Sequence, residues 1–216
     1  RWAEPSWTGN EFGKRYQWYK ETIDAVWDTF GIKVDYVSPG QNERTDMSPI
    51  NTLNMDWIKY FAKRLKEETD GRYDYSQIKI VVADTYRAPQ TASLILGDPE
   101  LLDLTDVFAY HYDLSGERSL TTLSQEHGIP VWYSEAIAPM VRAANRYHVD
   151  PDRGGIGGYR GVVDIASRFI NMYRWSGSMA NPARMTKFMF QPAIISNYQG
   201  AQYNPKDLIS AHWPWS

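Results

Sequence analysis

Cysteine is absent from all 216 residues, which removes disulfides, a thiolate nucleophile and Cys-ligated metal from consideration. No stretch approaches the roughly 20 apolar residues of a spanning helix, so no transmembrane segment is expected. The opening at Arg1 has neither the charged start nor the apolar core of a signal peptide. A basic surplus is also missing. With 23 Lys and Arg against 26 Asp and Glu the net charge is −3, and no Lys/Arg-rich face stands out, which argues against nucleic acid or an anionic membrane as partner. No glycine-rich turn follows a strand-like run. Gly154-Gly155-Ile156-Gly157-Gly158 falls in a long loop instead, which disfavours a nucleotide-binding open sheet. His127, His148 and His212 are scattered without ligand spacing, so no zinc or other metal site is expected.

What the chain does contain is apolar and aromatic mass. Hydrophobic residues make up 43% of it, enough for the core of one domain, and nine Trp with fifteen Tyr are unusual wealth. Most of these rings are expected in the core, yet exposed ones make good platforms for the apolar faces of sugar rings. Strand-like and helix-like segments alternate. A short run from Arg1 to Trp7 is followed by helical spacing from Glu11 to Phe30, then strand-like Lys33 to Ser38. Ser48-Pro49 starts a helix whose apolar face runs from Ile50 through Trp57, Phe61 and Leu65 until Gly71. Strands are expected at Ile78 to Ala83, Val107 to Tyr112, Val131 to Ser134 and Lys187 to Ile195. Helices are expected at Ala88 to Leu96, Pro99 to Leu104, Thr121 to Glu126 and Tyr159 to Trp175.

Six strands with helices between them build a parallel sheet with right-handed crossovers. The expected fold is an α/β (β/α)8 TIM barrel, which typically takes about 250 residues. This chain supplies about strands three to eight of it. Residues 1–216 are thus expected to be a catalytic barrel fragment with its N-terminal strands missing, two strand-helix units preceding Arg1.

Two carboxylates sit where strands give way to loops, the rim on which parallel barrels place their chemistry. Glu43 follows Pro39-Gly40-Gln41-Asn42, and Glu135 follows Val131-Trp132-Tyr133-Ser134, 92 residues later. Cleaving an acetal takes one carboxyl to protonate the departing oxygen and a second to meet the developing cation. A separation of about 5 to 5.5 Å gives a covalent intermediate and retention, a wider one inversion. Asn42 is placed to hydrogen-bond the sugar hydroxyl beside the reacting carbon. His111, in Ala109-Tyr110-His111-Tyr112, ends a strand where it meets Glu135 or a sugar hydroxyl, with core packing the competing role. Trp2, Trp7 and Trp213 are candidate sugar platforms that compete with core packing in the same way. Asp84, Thr85 and Tyr86 end another strand and are candidates to shape the site. Ser134 lacks the flanking glycines of a nucleophile elbow and is assigned to hydrogen bonding.

Asn42-Glu43-Arg44 after one strand and Ser134-Glu135 ending a later one resemble the clan A retaining glycoside hydrolases. Arg1-Trp2-Ala3-Glu4-Pro5-Ser6-Trp7, the stretch from Leu94 to Tyr112 and Trp213-Pro214-Trp215-Ser216 are similar to segments of glycoside hydrolase family 59, the galactocerebrosidases. The resemblance spans nearly the whole chain. It implies Glu43 as acid/base, Glu135 as nucleophile and Asn42 as a sugar-binding residue in a retaining β-galactosidase, with a carbohydrate or glycolipid substrate and no cofactor. It also implies a secreted or lysosomal location and further domains in the parent chain. Gln41 and Phe190-Gln191-Pro192 depart from the family pattern. Ser38-Pro39 before Asn42-Glu43 also echoes family 30, so a family 30-like endo-glycanase stays open, as does a catalytically silent carbohydrate-binding barrel.

Overall fold

The computed structural model describes residues 11–40, 52–85, 88–111, 118–137, 166, 170, 185–191, 194–197 and 209–212. Five parallel strands, β1 (Tyr36–Val37), β2 (Lys79–Thr85), β3 (Val107–His111), β4 (Val131–Ile137) and β5 (Met185–Gln191), lie side by side in chain order. They form half of a parallel barrel. All five run the same way, so their C-terminal ends make one rim. The expected partial barrel is therefore present, and β1 to β5 correspond to its fourth to eighth strands.

Alternation along the central strands sorts side chains into two layers, as the two-residue period of a strand requires. Ile80, Val82, Phe108, Tyr110, Val131 and Tyr133 join the helix-facing core, whereas Val81, Val107, Ala109 and Trp132 pack together on the opposite, inner face. Helix α1 (Phe12–Phe30) and helix α2 (Thr52–Lys66) cover the outer face at the β1 side. Their contact is aromatic: Tyr16 and Tyr19 of α1 lie 5.8 Å and 5.1 Å from Phe61 of α2, ring centre to ring centre. Gly31 ends α1 in a left-handed turn (φ 65°) that returns its N–H to the Trp27 carbonyl at 2.8 Å, a conformation in which a side chain would be strained. Farther along, α3 (Ala88–Gly97) precedes α4 (Pro99–Asp103), which Asp98 caps by accepting from the Leu101 N–H at 3.0 Å.

The expected helix at Thr121 to Glu126 is instead a short helix α5 (Arg118–Thr121) that widens into a π turn over Thr122–Glu126. The single last strand expected from Lys187 to Ile195 is two strands. β5 ends at Gln191, and β6 (Ile194–Asn197) belongs to a separate two-stranded parallel sheet with β7 (Ile209–His212), a strand not anticipated at all. Pro192 lies between β5 and β6 in the sequence and has no N–H to give a ladder, which accounts for the break. The Arg1–Trp7 run lies outside the described residues. So does the Tyr159–Trp175 helix apart from Ala166 and Ile170, both helical. Among the described residues no helix is long and apolar enough to cross a membrane.

A buried ionic cluster ties α1 to the loop before β2. Lys20 donates to Asp24 at 2.9 Å, and Asp24 also accepts from the Tyr75 hydroxyl. Burial pushes the Asp24 carboxyl upward, but hydrogen bonds from Lys20 and Tyr75 and the charges of Lys20 and Arg72 outweigh it and hold the group below its ordinary range. Asp24→Ala leaves the Lys20 ammonium buried without this partner, and is expected to destabilise the full-length protein by about 3–5 kcal/mol in urea unfolding at pH 7. Because the folded-state pKa is depressed, this stabilisation is present above the ordinary carboxyl value of about 4 and is lost as pH falls through the depressed value. The gap between wild type and variant should therefore narrow as unfolding is repeated at progressively lower pH below 4.

Candidate active site

Strand β3 is buried along its whole length and ends at His111, whose position in the alternation continues the inner layer beyond Val107 and Ala109. The strands on either side of it both carry an extra residue at that level. Ala83 pairs with Ala109 and Thr85 with Tyr110, leaving Asp84 as the additional residue of β2. Tyr133 pairs with Tyr110 and Glu135 with His111, leaving Ser134 as the additional residue of β4. Such bulges bend a strand and re-aim its side chains, and they gather beside active sites. The β2 bulge is built from unusual backbone: Ala83 and Asp84 both have positive φ, 74° and 49°. For aspartate this costs little, but for alanine it is strain that the surrounding packing must hold in place.

The two extra residues meet across the end of β3. The Ser134 hydroxyl donates to Asp84 Oδ1 at 2.5 Å and also lies 3.2 Å from the Tyr110 carbonyl oxygen. His111, with no exposed surface, stands between them and Glu135. Its Nε2 donates to Asp84 Oδ1 at 2.9 Å, and its Nδ1 lies 3.6 Å from Glu135 Oε2. Glu135 retains 13% of its side-chain exposure, against 7% for Asp84 and none for His111, so it reaches solvent more than that pair does. Burial alone would raise the Asp84 carboxyl, yet the hydrogen bonds from His111 and Ser134 prevail and hold it below the usual carboxylate range. Asp84 is thus an ionised, buried acceptor. A carboxylate of that kind holds Nε2 and so orients the ring with Nδ1 turned to Glu135.

A second anchoring point lies just before Gln41-Asn42-Glu43. Three side chains converge on the Pro39 carbonyl: Trp57 Nε1 at 2.8 Å, the Tyr19 hydroxyl at 3.2 Å and the Arg15 guanidinium at 3.3 Å. Arg15 also sits over the Trp57 ring, 4.4 Å from its centre. Gly40 comes next, and a Cβ there would meet Ile58 Cδ1 at 3.1 Å. This close approach ties the chain ahead of Glu43 to α2.

Of the sequence-expected residues, the structure brings Glu135, His111 and Ser134 together, with Asp84 as the shared partner of His111 and Ser134. Glu43, Asn42, Trp2, Trp7 and Trp213 lie outside the described residues. Ser134 meets Asp84, and Trp132 of the inner layer receives Lys187 over its ring at 4.4 Å and gives its Nε1–H to Thr186 at 3.1 Å. Asp84 carries more of this geometry than the sequence indicates, because the bulge that turns it inward has no sequence signature beyond a polar residue after an apolar run. Among the described residues, no group of His, Asp and Glu is arranged to hold a metal ion.

A parallel half-barrel with a carboxylate and its buried partners at the C-terminal rim is the architecture of the barrel glycoside hydrolases. Solved structures with this fold include SrfJ from Salmonella typhimurium (TM-score 0.54, 13% identity, 86% of this chain and 38% of that one). The family 30 subfamily 8 xylanase Xyn30A from Clostridium acetobutylicum (TM-score 0.51, 13% identity) is matched over 83% of this chain and 39% of its own. The endo-β1,6-glucanase BT3312 gives a TM-score of 0.53 at 13% identity, over 86% and 38%. The chain spans under two fifths of the length of these three. No curated protein matches it. The family model for glycosyl hydrolase family 59 matches residues 1–216, and the chain belongs to that family.

Proposed function

We propose that this chain is the strand-three to strand-eight part of the catalytic barrel of a retaining β-glycosidase that releases terminal β-galactose from a glycan or glycolipid. The observation that carries the proposal is Glu135. It lies near the C-terminal end of the penultimate strand of the half-barrel, two residues before the last one, Ile137, partly exposed, with the buried His111–Asp84 pair behind it. In the first step Glu43 protonates the departing oxygen while Glu135 attacks the anomeric carbon to give a glycosyl ester. In the second, Glu43 takes a proton from water, which attacks the same carbon, frees Glu135 and leaves the configuration retained. Asn42 bonds the hydroxyl beside the reacting carbon, and Trp2, Trp7 and Trp213 supply apolar platforms for sugar faces.

Galactose rather than a xylan or glucan backbone is favoured by family membership, since the likeness to the xylanase and the glucanase is one of fold. Incubation of the full-length protein with 2,4-dinitrophenyl 2-deoxy-2-fluoro-β-galactoside should give a stable adduct, and peptide mapping should place it on Glu135. An adduct only with the xylose or glucose analogue would transfer the proposal to an endo-glycanase of the family 30 kind. No adduct in a protein that still binds galactosides would make it a silent binding barrel.

A further inference from the structure

We propose that Asp84 is a positioning residue for the nucleophile, acting through His111, and that the paired bulges of β2 and β4 exist to hold this Asp84–His111–Glu135 line; this rests on Glu135 being the nucleophile. The bulges fall at adjacent steps of β3, either side of Tyr110, and each contributes the residue that stands out of register. Those two residues bond to each other, Ser134 Oγ to Asp84 Oδ1 at 2.5 Å. The same carboxylate oxygen receives His111 Nε2 at 2.9 Å. Without the extra residue in β2, the strand would end one position earlier and the carboxylate would not reach the end of β3. The positive φ at Ala83 and Asp84 is the conformational cost of that reach.

A fully buried imidazole has few ways to be held, and here a buried carboxylate fixes one nitrogen so that the other faces Glu135 at 3.6 Å. Attack on the anomeric carbon requires the Glu135 oxygen to be placed to within a fraction of an ångström. A misplacement of about 1 Å costs on the order of 100-fold in rate. Asp84 touches neither sugar nor reacting atoms, so its effect must pass through Glu135. It should vanish when Glu135 is gone.

That expectation separates positioning from general structural support. In the full-length protein, Asp84→Asn keeps the size of the side chain and a residue type that tolerates left-handed backbone. It should slow inactivation by 2,4-dinitrophenyl 2-deoxy-2-fluoro-β-galactoside about 100-fold. In a Glu135→Ala background, with saturating azide as the external nucleophile, the same substitution should change formation of α-galactosyl azide by less than about threefold, because sites that act only through one another are not additive. Equal losses in both backgrounds would overturn the proposal, as would an unchanged inactivation rate in Asp84→Asn. If Glu135→Ala yields no inverted azide and wild type carries no label on Glu135, the nucleophile assignment itself is wrong and the positioning role falls with it. If Asp84→Asn gives no folded protein, the cycle is run on Asp84→Gly, which also tolerates left-handed backbone, and the same pair of results supports or overturns the role.

Discussion

Glu135→Gln is expected to lower kcat on 4-nitrophenyl β-galactoside by about 100,000-fold while leaving the affinity for a galactose-type competitive inhibitor within a few-fold of wild type. The size follows from the proposed role as covalent nucleophile, whose removal in enzymes generally costs on the order of 10⁵ to 10⁶ in turnover. The amide is nearly isosteric with the carboxylate but neither attacks the anomeric carbon nor stabilises the cation developing there. Binding survives because the residue's partners persist: His111 remains on Asp84, and Ser134 remains bonded to the same carboxylate. A carbohydrate-binding barrel without chemistry would show no loss, since the wild type itself would have no turnover above background. Steady-state kinetics on the full-length protein and calorimetric titration of the inhibitor, taken together, decide between an enzyme and a binding module.

The strand order was readable because β2, β3 and β4 are short runs of Val, Ile, Ala, Phe and Tyr buried on both faces, and such runs stand out against helical spacing. Glu135 was readable for a related reason, since a carboxylate directly after an apolar run has no place in the core, but β4 does not stop at Ser134 as expected and runs through Glu135 to Ile137. Asp84 shows where that reasoning stops. Its strand was taken to end at Ala83, whereas β2 continues to Thr85 through two residues of positive φ. Local residue preference cannot announce an alanine in the left-handed region, because tertiary packing imposes it. The hold on Pro39 was invisible for another reason, since the acceptor is a backbone carbonyl and the three donors come from two helices. The split of the last strand, by contrast, had a signal in Pro192.

Those three donors bear on the second carboxylate. Glu43 is four residues past Pro39, so the chain leading to it leaves from a pinned point, which suits the acid/base role proposed for it. Glu43→Gln should depress kcat/KM roughly 10²- to 10⁴-fold on alkyl or lipid-linked galactosides, whose leaving groups need a proton. The 2,4-dinitrophenyl galactoside should lose far less in this first step, because its leaving group departs unaided. Hydrolysis of the glycosyl ester still needs a base, so on this substrate the variant should accumulate the ester, and added azide should relieve the block and yield β-galactosyl azide. The alkaline limb of the kcat/KM profile, set in wild type by loss of the acid's proton, should flatten in the variant. Loss of the same size on both leaving groups, with no response to azide, would remove Glu43 from the acid/base role. It would leave Glu135 with a partner still to be found on the same rim.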